Sequence, residues 1–406
     1  MKQIIYRRKI VDEINKFIPT RDIVVLHGAR QVGKTYILLY LQNMLRDAGR
    51  STYYMDLEDS RLINIIDSGV DVFIRHLKEE GVNPGKKGQK IFVLIDEIQY
   101  LANPSPFLKL IADHHPEIKL IVSVSSSFNI KKKFSDSLVG RTVNFEIYPL
   151  SFEEFLLFKQ YHFPAEKIFT LKKINELRQL YKEYILNGGY PKITLTADKK
   201  MKEKYLQQII DTYLKKDIRD LAEIKDINKF NRLLETLASQ TGQLLNIVEL
   251  SNTCKIAKQT VEHYLFLLEQ TYILRLVRPF SSNLRSELSK TPKIFFYDTG
   301  LAQMLWLKEL PKEPLSQIFE TSIFSELLKK YGPEKIFFWR TTDKKEIDFI
   351  LKYNNKTLPI EVKINFSQAQ LSAIRYFNEK YRGKNFKIIG LNGSPKNNSY
   401  LYPWQL

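Results

Sequence analysis

"HGARQVGKTYILLYL", residues 27–41, decides the fold. Two glycines, Gly28 and Gly33, enclose four residues, and Lys34 and Thr35 follow the second glycine directly. The apolar run "DIVVLHGA" before the loop reads as a strand, and "KTYILLYLQNMLRDAG" after it has helical periodicity. Strand, loop and helix together match G-x-x-x-x-G-K-[ST] without a mismatch. Glycine lets the backbone curl, so that the amides of Gly28, Ala29, Arg30, Gln31, Val32 and Gly33 face a phosphate. The helix N-terminus at Lys34, Thr35 and Tyr36 adds positive potential. Lys34 is placed to reach β- and γ-phosphates, and Thr35 to ligate Mg²⁺.

A second element supports the first. "KIFVLIDE", residues 90–97, is an apolar strand ending in Asp96 and Glu97. Asp96 is expected to hold Mg²⁺ through water, and Glu97 to orient or deprotonate the attacking water. The expected ligands are therefore ATP and Mg²⁺, and the expected chemistry is hydrolysis. Further along, "KLIVSVSSS" ends in hydroxyls: Ser123 or Ser125 senses the γ-phosphate, or the run is a solvated serine turn. Arg141 sits at a loop–strand junction in "SLVGRTVNFEIYP". It serves as a transition-state arginine, in cis or from a neighbouring subunit, or it makes a surface salt bridge.

Working outward, "STYYMDLE" and "TVNFEIYP" complete five short strands separated by helical runs. That alternation predicts an α/β fold with a mainly parallel sheet covered on both faces. At 406 residues the chain exceeds one ordinary core. The pattern divides it into a phosphate-loop domain (1–150), a helical lid (151–225), a winged helix (226–290) and a C-terminal α/β unit (291–406). In "SFEEFLLFKQY", Ser151 and Glu154 form a capping-box pair. "KMKEKYLQQIIDTYLKKDIRDLAEI" reads as one long helix.

Two later stretches carry chemistry. In residues 244–280, "IVELSNTC" and "AKQTVEHYLFLLEQ" read as a helix-turn-helix followed by a strand. Val261, Leu265 and Leu268 face a core, while Lys258, Gln259 and His263 point outward. Lys255, Lys258 and Arg278 are the candidate nucleic-acid contacts; the alternative is a protein-docking module. In "KKEIDFILKYNNKTLPIEVKI", Glu361 and Lys363 share a strand face, and Asp348 lies on the neighbouring strand of a hairpin. With Glu320 on the preceding helix, these residues resemble the core of the PD-(D/E)XK nuclease fold. That resemblance implies two carboxylates on Mg²⁺ and a lysine that polarises water or phosphate. "NFKIIGL" and "YLYPWQL" are expected as edge strands.

"GARQVGKT", "IFVLIDEIQYL", "SSSF…LVGRTVNFEIYPLSFEEFL", "NGGYP" and "PKIFFYDTGLAQML" together resemble a family of AAA-type ATPases of archaea and bacteria. That family joins a P-loop domain to a C-terminal domain of uncharacterised function. The resemblance implies that Arg141 is the finger or sensor arginine, and that Pro191 of "GGYP" lies where related signal-transduction ATPases place a proline near adenine. The family usually carries Thr-Gly-Ser-Ser at the end of the fourth strand. Here Ser123-Val124-Ser125-Ser126 stands instead, without the glycine.

Composition bounds the partners. With 63 basic and 45 acidic residues, the net charge of +18 favours an acidic partner, with DNA foremost. A single cysteine, Cys254, excludes internal disulfides and cysteine-rich zinc sites and predicts a half-buried thiol. Apolar runs such as "IFVLI" are too short to span a bilayer, and the charged N-terminus has no signal-peptide pattern, so the cytoplasm is the expected compartment. If Arg141 acts in trans, the working form is a homo-oligomer. Three functions fit this pattern: a DNA-remodelling ATPase, a signalling or defence switch that recruits a protein, and an ATP-gated nuclease.

Overall fold

The computed structural model describes residues 5–82, 90–125, 138–163, 169–217, 224, 226–281, 291–353 and 356–406. Ser126 and most of the expected loop at 81–90 lie outside the described residues. The chain divides into two compact units, Met1–Tyr148 and Pro149–Leu406.

In the first unit, helix α1 (Ile10–Asn15) precedes strand β1 (Ile23–Gly28) and α2 (Lys34–Asp47). Then come β2 (Thr52–Asp56), α3 (Ser60–Asp67), α4 (Val70–Glu79), β3 (Ile91–Asp96), α5 (Pro104–His114), β4 (Ile118–Val124) and β5 (Thr142–Ile147). All five strands pair in parallel, in the order β2-β3-β4-β1-β5. This is the predicted α/β sheet. β1 and β3 are buried along their whole length, as expected for parallel strands covered on both faces. On α2, Ile37, Leu38, Leu41 and Leu45 recur at helical spacing and are buried, so the phosphate loop is anchored by a helix whose apolar face is fixed on the sheet. On one side of the sheet Val25, Val93 and Val122 pack with Phe73 and Leu77 of α4 and Leu108 of α5. Each such side chain contributes roughly 1.5–3 kcal/mol on full burial.

The second unit opens with α6 (Phe152–Phe158), whose N-terminus carries the predicted capping box: Ser151 Oγ accepts from Glu154 N and the Glu154 carboxylate accepts from Ser151 N. Helices α7 (Leu171–Asn187), α8 (Pro191–Leu195) and α9 (Lys199–Ile209) follow. The expected long helix changes its hydrogen-bonding pattern after α9, with π-helical turns over Ile210–Asp217. Next come α10 (Ile227–Ser239), α11 (Ile247–Cys254), α12 (Lys258–Gln270), β6 (Leu274–Val277) and β7 (Lys293–Phe296). β7 does not join the C-terminal sheet: it pairs antiparallel with β6 and is bridged by Leu244. Three helices, α10 to α12, precede this small antiparallel sheet, the element order expected of a winged helix. Cys254 is buried rather than half-buried.

The remainder comprises α13 (Thr299–Leu307), α14 (Ser316–Tyr331), β8 (Ile336–Arg340), β9 (Glu346–Tyr353), β10 (Lys356–Asn365), α15 (Ser372–Tyr381), β11 (Lys387–Asn392) and β12 (Tyr400–Leu401). The sheet order is β12-β11-β10-β9-β8. β11 is internal, not an edge, because α15 carries the chain over to a parallel pairing with β10. The small sheet continues into this one through a parallel bridge between Pro279 and Phe338.

The segments "YPLSFEEF", "NGGYP" and "YDTG" meet in one buried polar knot within this unit. Gly189 N donates to Asp298 Oδ2 at 2.7 Å, Leu150 N donates to Gly189 O at 2.7 Å, and Leu301 N donates to Asp298 Oδ1 at 2.9 Å. Tyr184 Oη and Lys329 Nζ both donate to Leu150 O. A Cβ at Gly300 would stand 2.1 Å from Asn187 O, so the close approach of α7 and α13 requires glycine there.

Candidate functional site

The loop after β1 turns through positive φ at Gln31 (63°) and Gly33 (98°). Gly33 is needed for that backbone conformation. Gly28 is needed for space: a Cβ there would lie 2.2 Å from the carbonyl oxygen of Ile147 on β5. Lys34 begins α2 and is buried, and its ammonium donates to Gly28 O at 3.2 Å and Ala29 O at 2.9 Å. Burial lowers its pKa, against the opposing pull of Glu97 and Asp96. Ala29 and Val32 are buried, Thr35 is half-buried, and Gln31 and Tyr36 are exposed. Arg30 reaches toward Tyr100.

β4 lies between β1 and β3, so its end faces both the loop and the acidic strand. Ser123 makes use of that position: its hydroxyl donates to Asp96 Oδ1 and accepts from Glu97 N at 3.0 Å. Ser125 donates to the Glu97 carboxylate. Both serines therefore engage the acidic pair. Glu97 takes a left-handed conformation, φ 55°, which turns its side chain off the strand's own line. Asp96 is buried and also accepts from Tyr54 Oη at 3.1 Å. Burial first, and then Asp96, pushes the Tyr54 hydroxyl far up, so it remains a donor.

Three contributors escape the sequence reading. Gln99 donates to Glu97 and faces Ser125, and its only signal is its position two residues past the glutamate. Tyr54 comes from β2, in register with Leu94, and no motif marks it. Arg8 is buried and donates to Val32 O inside the loop at 2.8 Å and to Tyr148 O at 2.9 Å.

Arg141 lies elsewhere. Thr142 pairs with Ile23 and Ile147 with Gly28, so Arg141 is at the end of β5 away from the loop. Five residues of strand separate the two ends, about 17 Å. Its guanidinium pairs with Asp113 at 2.6 and 3.1 Å. Of the alternatives open for Arg141, the surface salt bridge is the contact seen, and the residue stands away from the loop of its own chain. Pro191 opens α8 in the second unit as a first-turn proline.

On α12, Val261, Leu265 and Leu268 are buried, and Lys258, Gln259 and His263 are exposed, as expected. Lys255 takes a left-handed turn that ends α11, and Lys258 starts α12, so the two sit at one end of the helix-turn-helix. Arg278 is exposed and acts on Glu269, at the far end of α12. The three basic residues are thus not one cluster.

The C-terminal sheet brings Asp348, Glu361 and Lys363 together. Lys363 Nζ is 2.7 Å from Glu361 Oε1 and 3.4 Å from Asp348 Oδ2, and Asp348 Oδ2 accepts from Val362 N at 2.7 Å. Glu320 on α14 is joined instead to Lys293 of β7 at 3.2 Å, and Lys293 also lies 2.6 Å from Glu346. Lys293 and Glu346 were not read from the sequence. Burial, with Asp348 close by, pushes Glu320 up to about 8 and Glu361 up to about 7.

Residues 20–156 match a family model described as an AAA domain, and residues 178–313 and 315–400 match two domains of unknown function, DUF8612 and DUF4143. An uncharacterized protein of Methanocaldococcus jannaschii is 27% identical over 350 residues, 84% of this chain and 75% of that protein. An uncharacterized protein of Haemophilus influenzae is 27% identical over 369 residues, 89% of this chain and 87% of that protein. Among solved structures, a Walker-type ATPase of Pyrococcus abyssi superposes with TM-score 0.48 at 17% identity, covering 74% of this chain and 96% of that one. Among the described residues, no helix is long and apolar enough to cross a membrane.

Proposed function

We propose that the chain is a Mg²⁺-dependent AAA-type ATPase that couples nucleotide state to binding or remodelling of nucleic acid, with DNA as the partner. One observation carries the reading: Ser123 and Ser125 hold Asp96 and Glu97 in place on the strand two positions from β1 in the sheet, at the same ends of the strands as the loop that buries Lys34. The residues suit the ligand. Among the described residues, Lys34 donates to the loop carbonyls of Gly28 and Ala29, so its charge is available to a polyanion, and the Gly28–Ile147 approach keeps the loop against β5. The amides from Gly28 to Thr35 and the Lys34 ammonium would hold the phosphates, while Thr35 and Asp96 would hold Mg²⁺. The metal supplies charge neutralisation at the phosphates when bound. Glu97 would position and deprotonate the attacking water, with Ser125 and Gln99 orienting its carboxylate.

Arg141, too far from its own loop, would serve a neighbouring copy, exchanging Asp113 for that copy's phosphate. Lys255 and Lys258 at the start of α12 would contact the DNA backbone. The test is ATP turnover with and without duplex, single-stranded and branched DNA. Stimulation by one of them is expected, and a turnover indifferent to all of them would remove nucleic acid from the proposal. A protein-recruiting switch is the second reading, favoured by Phe266, which stands 48% exposed on α12.

A further inference from the structure

The nuclease-like resemblance implies a divalent metal on two carboxylates, Asp348 and Glu361, with Glu320 as a further acidic group, and the groups present do not fit one. Glu361 Oε1 and Asp348 Oδ2 share the Lys363 ammonium, and Asp348 Oδ2 is also taken by Val362 N. Glu320 shares Lys293 with Glu346, whose other oxygen faces Arg340 at 3.3 Å. Among the described residues, no three histidine, cysteine or acidic side chains are grouped to hold a metal ion.

Lys293 is the unusual member. Its side chain is 4% exposed. It belongs to the winged-helix sheet, paired with Val277 and bridged by Leu244, yet its ammonium ends among carboxylates of α14 and β9. The Phe338 ring lies 5.6 Å below the ammonium. A strand fixed at both backbone neighbours delivers one cation to one place, with little of the rotational freedom that a surface lysine would lose. Burial opposes its charge, but Glu320, Asp348 and Glu346 outweigh that and raise its pKa, so it stays an ammonium across the physiological range. Two acidic side chains, Glu320 and Glu346, therefore meet a positive charge from inside the protein. Within the cluster, Glu361 Oε2 is buried without a hydrogen-bond partner.

We propose that Lys293 of the winged-helix sheet occupies the nuclease-like carboxylate cluster in place of a divalent cation. The cluster is then a socket for the winged helix, and the C-terminal sheet binds no metal there and cuts no phosphodiester. Removing the ammonium uncovers the acidic set of Glu320, Asp348 and Glu361.

The test titrates Mn²⁺ into the full, nucleotide-free chain and counts bound ions by electron paramagnetic resonance. This is independent of the ATPase reading, because the readout is metal bound without nucleotide. The wild-type chain is expected to show the same Mn²⁺ stoichiometry as Glu361→Gln. Lys293→Met is expected to gain one ion, lost again in Lys293→Met with Glu361→Gln. A wild-type ion that disappears in Glu361→Gln overturns the proposal, and this arm needs no change at Lys293. So does a Lys293→Met or Lys293→Gln chain with unchanged circular dichroism that gains no ion. Metal-dependent cleavage of DNA by the wild type, abolished by Asp348→Asn, overturns it as well.

Discussion

The two units each bury a lysine near carboxylates, and they use it in opposite ways. Lys34 lies at the start of a helix with Asp96 and Glu97 near enough to favour its charge, yet its hydrogen bonds go to the carbonyls of Gly28 and Ala29 and its pKa is lowered by burial. Lys293 lies on a strand between Glu320 and Glu346, and its pKa is raised in spite of burial. The first lysine is incompletely compensated by its own chain, which is the condition for a strong response to an incoming polyanion. The second is compensated, which makes it a structural part. Burial of a lysine alone therefore does not distinguish a ligand site from a fastening; the distinction lies in whether the neighbouring carboxylates are bonded to it or to something else. Here Asp96 is bonded to Ser123 and Tyr54, and Glu97 to Ser125 and Gln99.

The comparison breaks most visibly if the two lysines are replaced by the same apolar residue. Lys34→Met should reduce ATP turnover by about 10³-fold, as loss of the ammonium removes charge stabilisation during phosphoryl transfer. Its effect on the unfolding free energy of the first unit, read from urea melts, should stay within about 1 kcal/mol, because an incompletely compensated buried charge leaves with it. Lys293→Met should do the reverse. It should cost about 3 kcal/mol in the second unit, since Glu320 and Glu346 are left without their cation. Turnover without DNA should be unchanged. A destabilised first unit or an undisturbed second one would refute the contrast.

A pH series sharpens it. Glu320 is pushed up to about 8 in the folded chain, from an ordinary value of 4.5, by burial and then by Asp348. The folded state therefore holds a proton that the unfolded state has released across that window, and stability must fall as pH rises from 4.5 through 8. The full effect is present below 4.5 and is lost above 8. Glu361, pushed up to about 7, acts in the same direction. The second unit should lose on the order of 2 kcal/mol between the ends of that window, read from urea midpoints, and Glu320→Gln should flatten the curve. A midpoint that rises with pH would contradict the arrangement around Lys293.

The first unit was far more legible in the sequence than the second, and the reason is physical. A phosphate loop is local: Gly28, Gly33, Lys34 and Thr35 act through backbone geometry within eight residues, and the acidic strand ends where its apolar run ends. The sheet, its parallel sense, the capping box at Ser151 and the buried face of α12 are periodic patterns of the same kind. Tyr54 and Arg8 are not, since they reach the site only because strand order and tertiary packing bring them there. Lys293 was hidden more deeply. "KIFFYD" reads as one more strand of the C-terminal sheet, and only its pairing with β6 shows that the lysine arrives from another module. The readings of Arg141 stayed open for a related reason: a loop–strand junction fixes a residue's place along the chain but not which end of the sheet it occupies.

A third lysine sharpens the contrast with the smallest effect. Lys258 is exposed at the start of α12, neither buried like Lys34 nor held between carboxylates like Lys293. A solvated ammonium at that position has little to give to stability, so Lys258→Ala should change the unfolding free energy of either unit, read from urea melts, by no more than about 0.5 kcal/mol. What it can give is one phosphate contact. Affinity for duplex DNA at low salt should then fall only a few-fold, about equally for every sequence, and the slope of log affinity against log salt should become shallower by about 1. Arg278→Ala, at the far end of α12 beside Glu269, should change that slope less if DNA lies across the Lys255–Lys258 end. Equal changes from both would mean that the contact runs the length of the helix, and no change from either would move the nucleic-acid surface off the winged helix altogether.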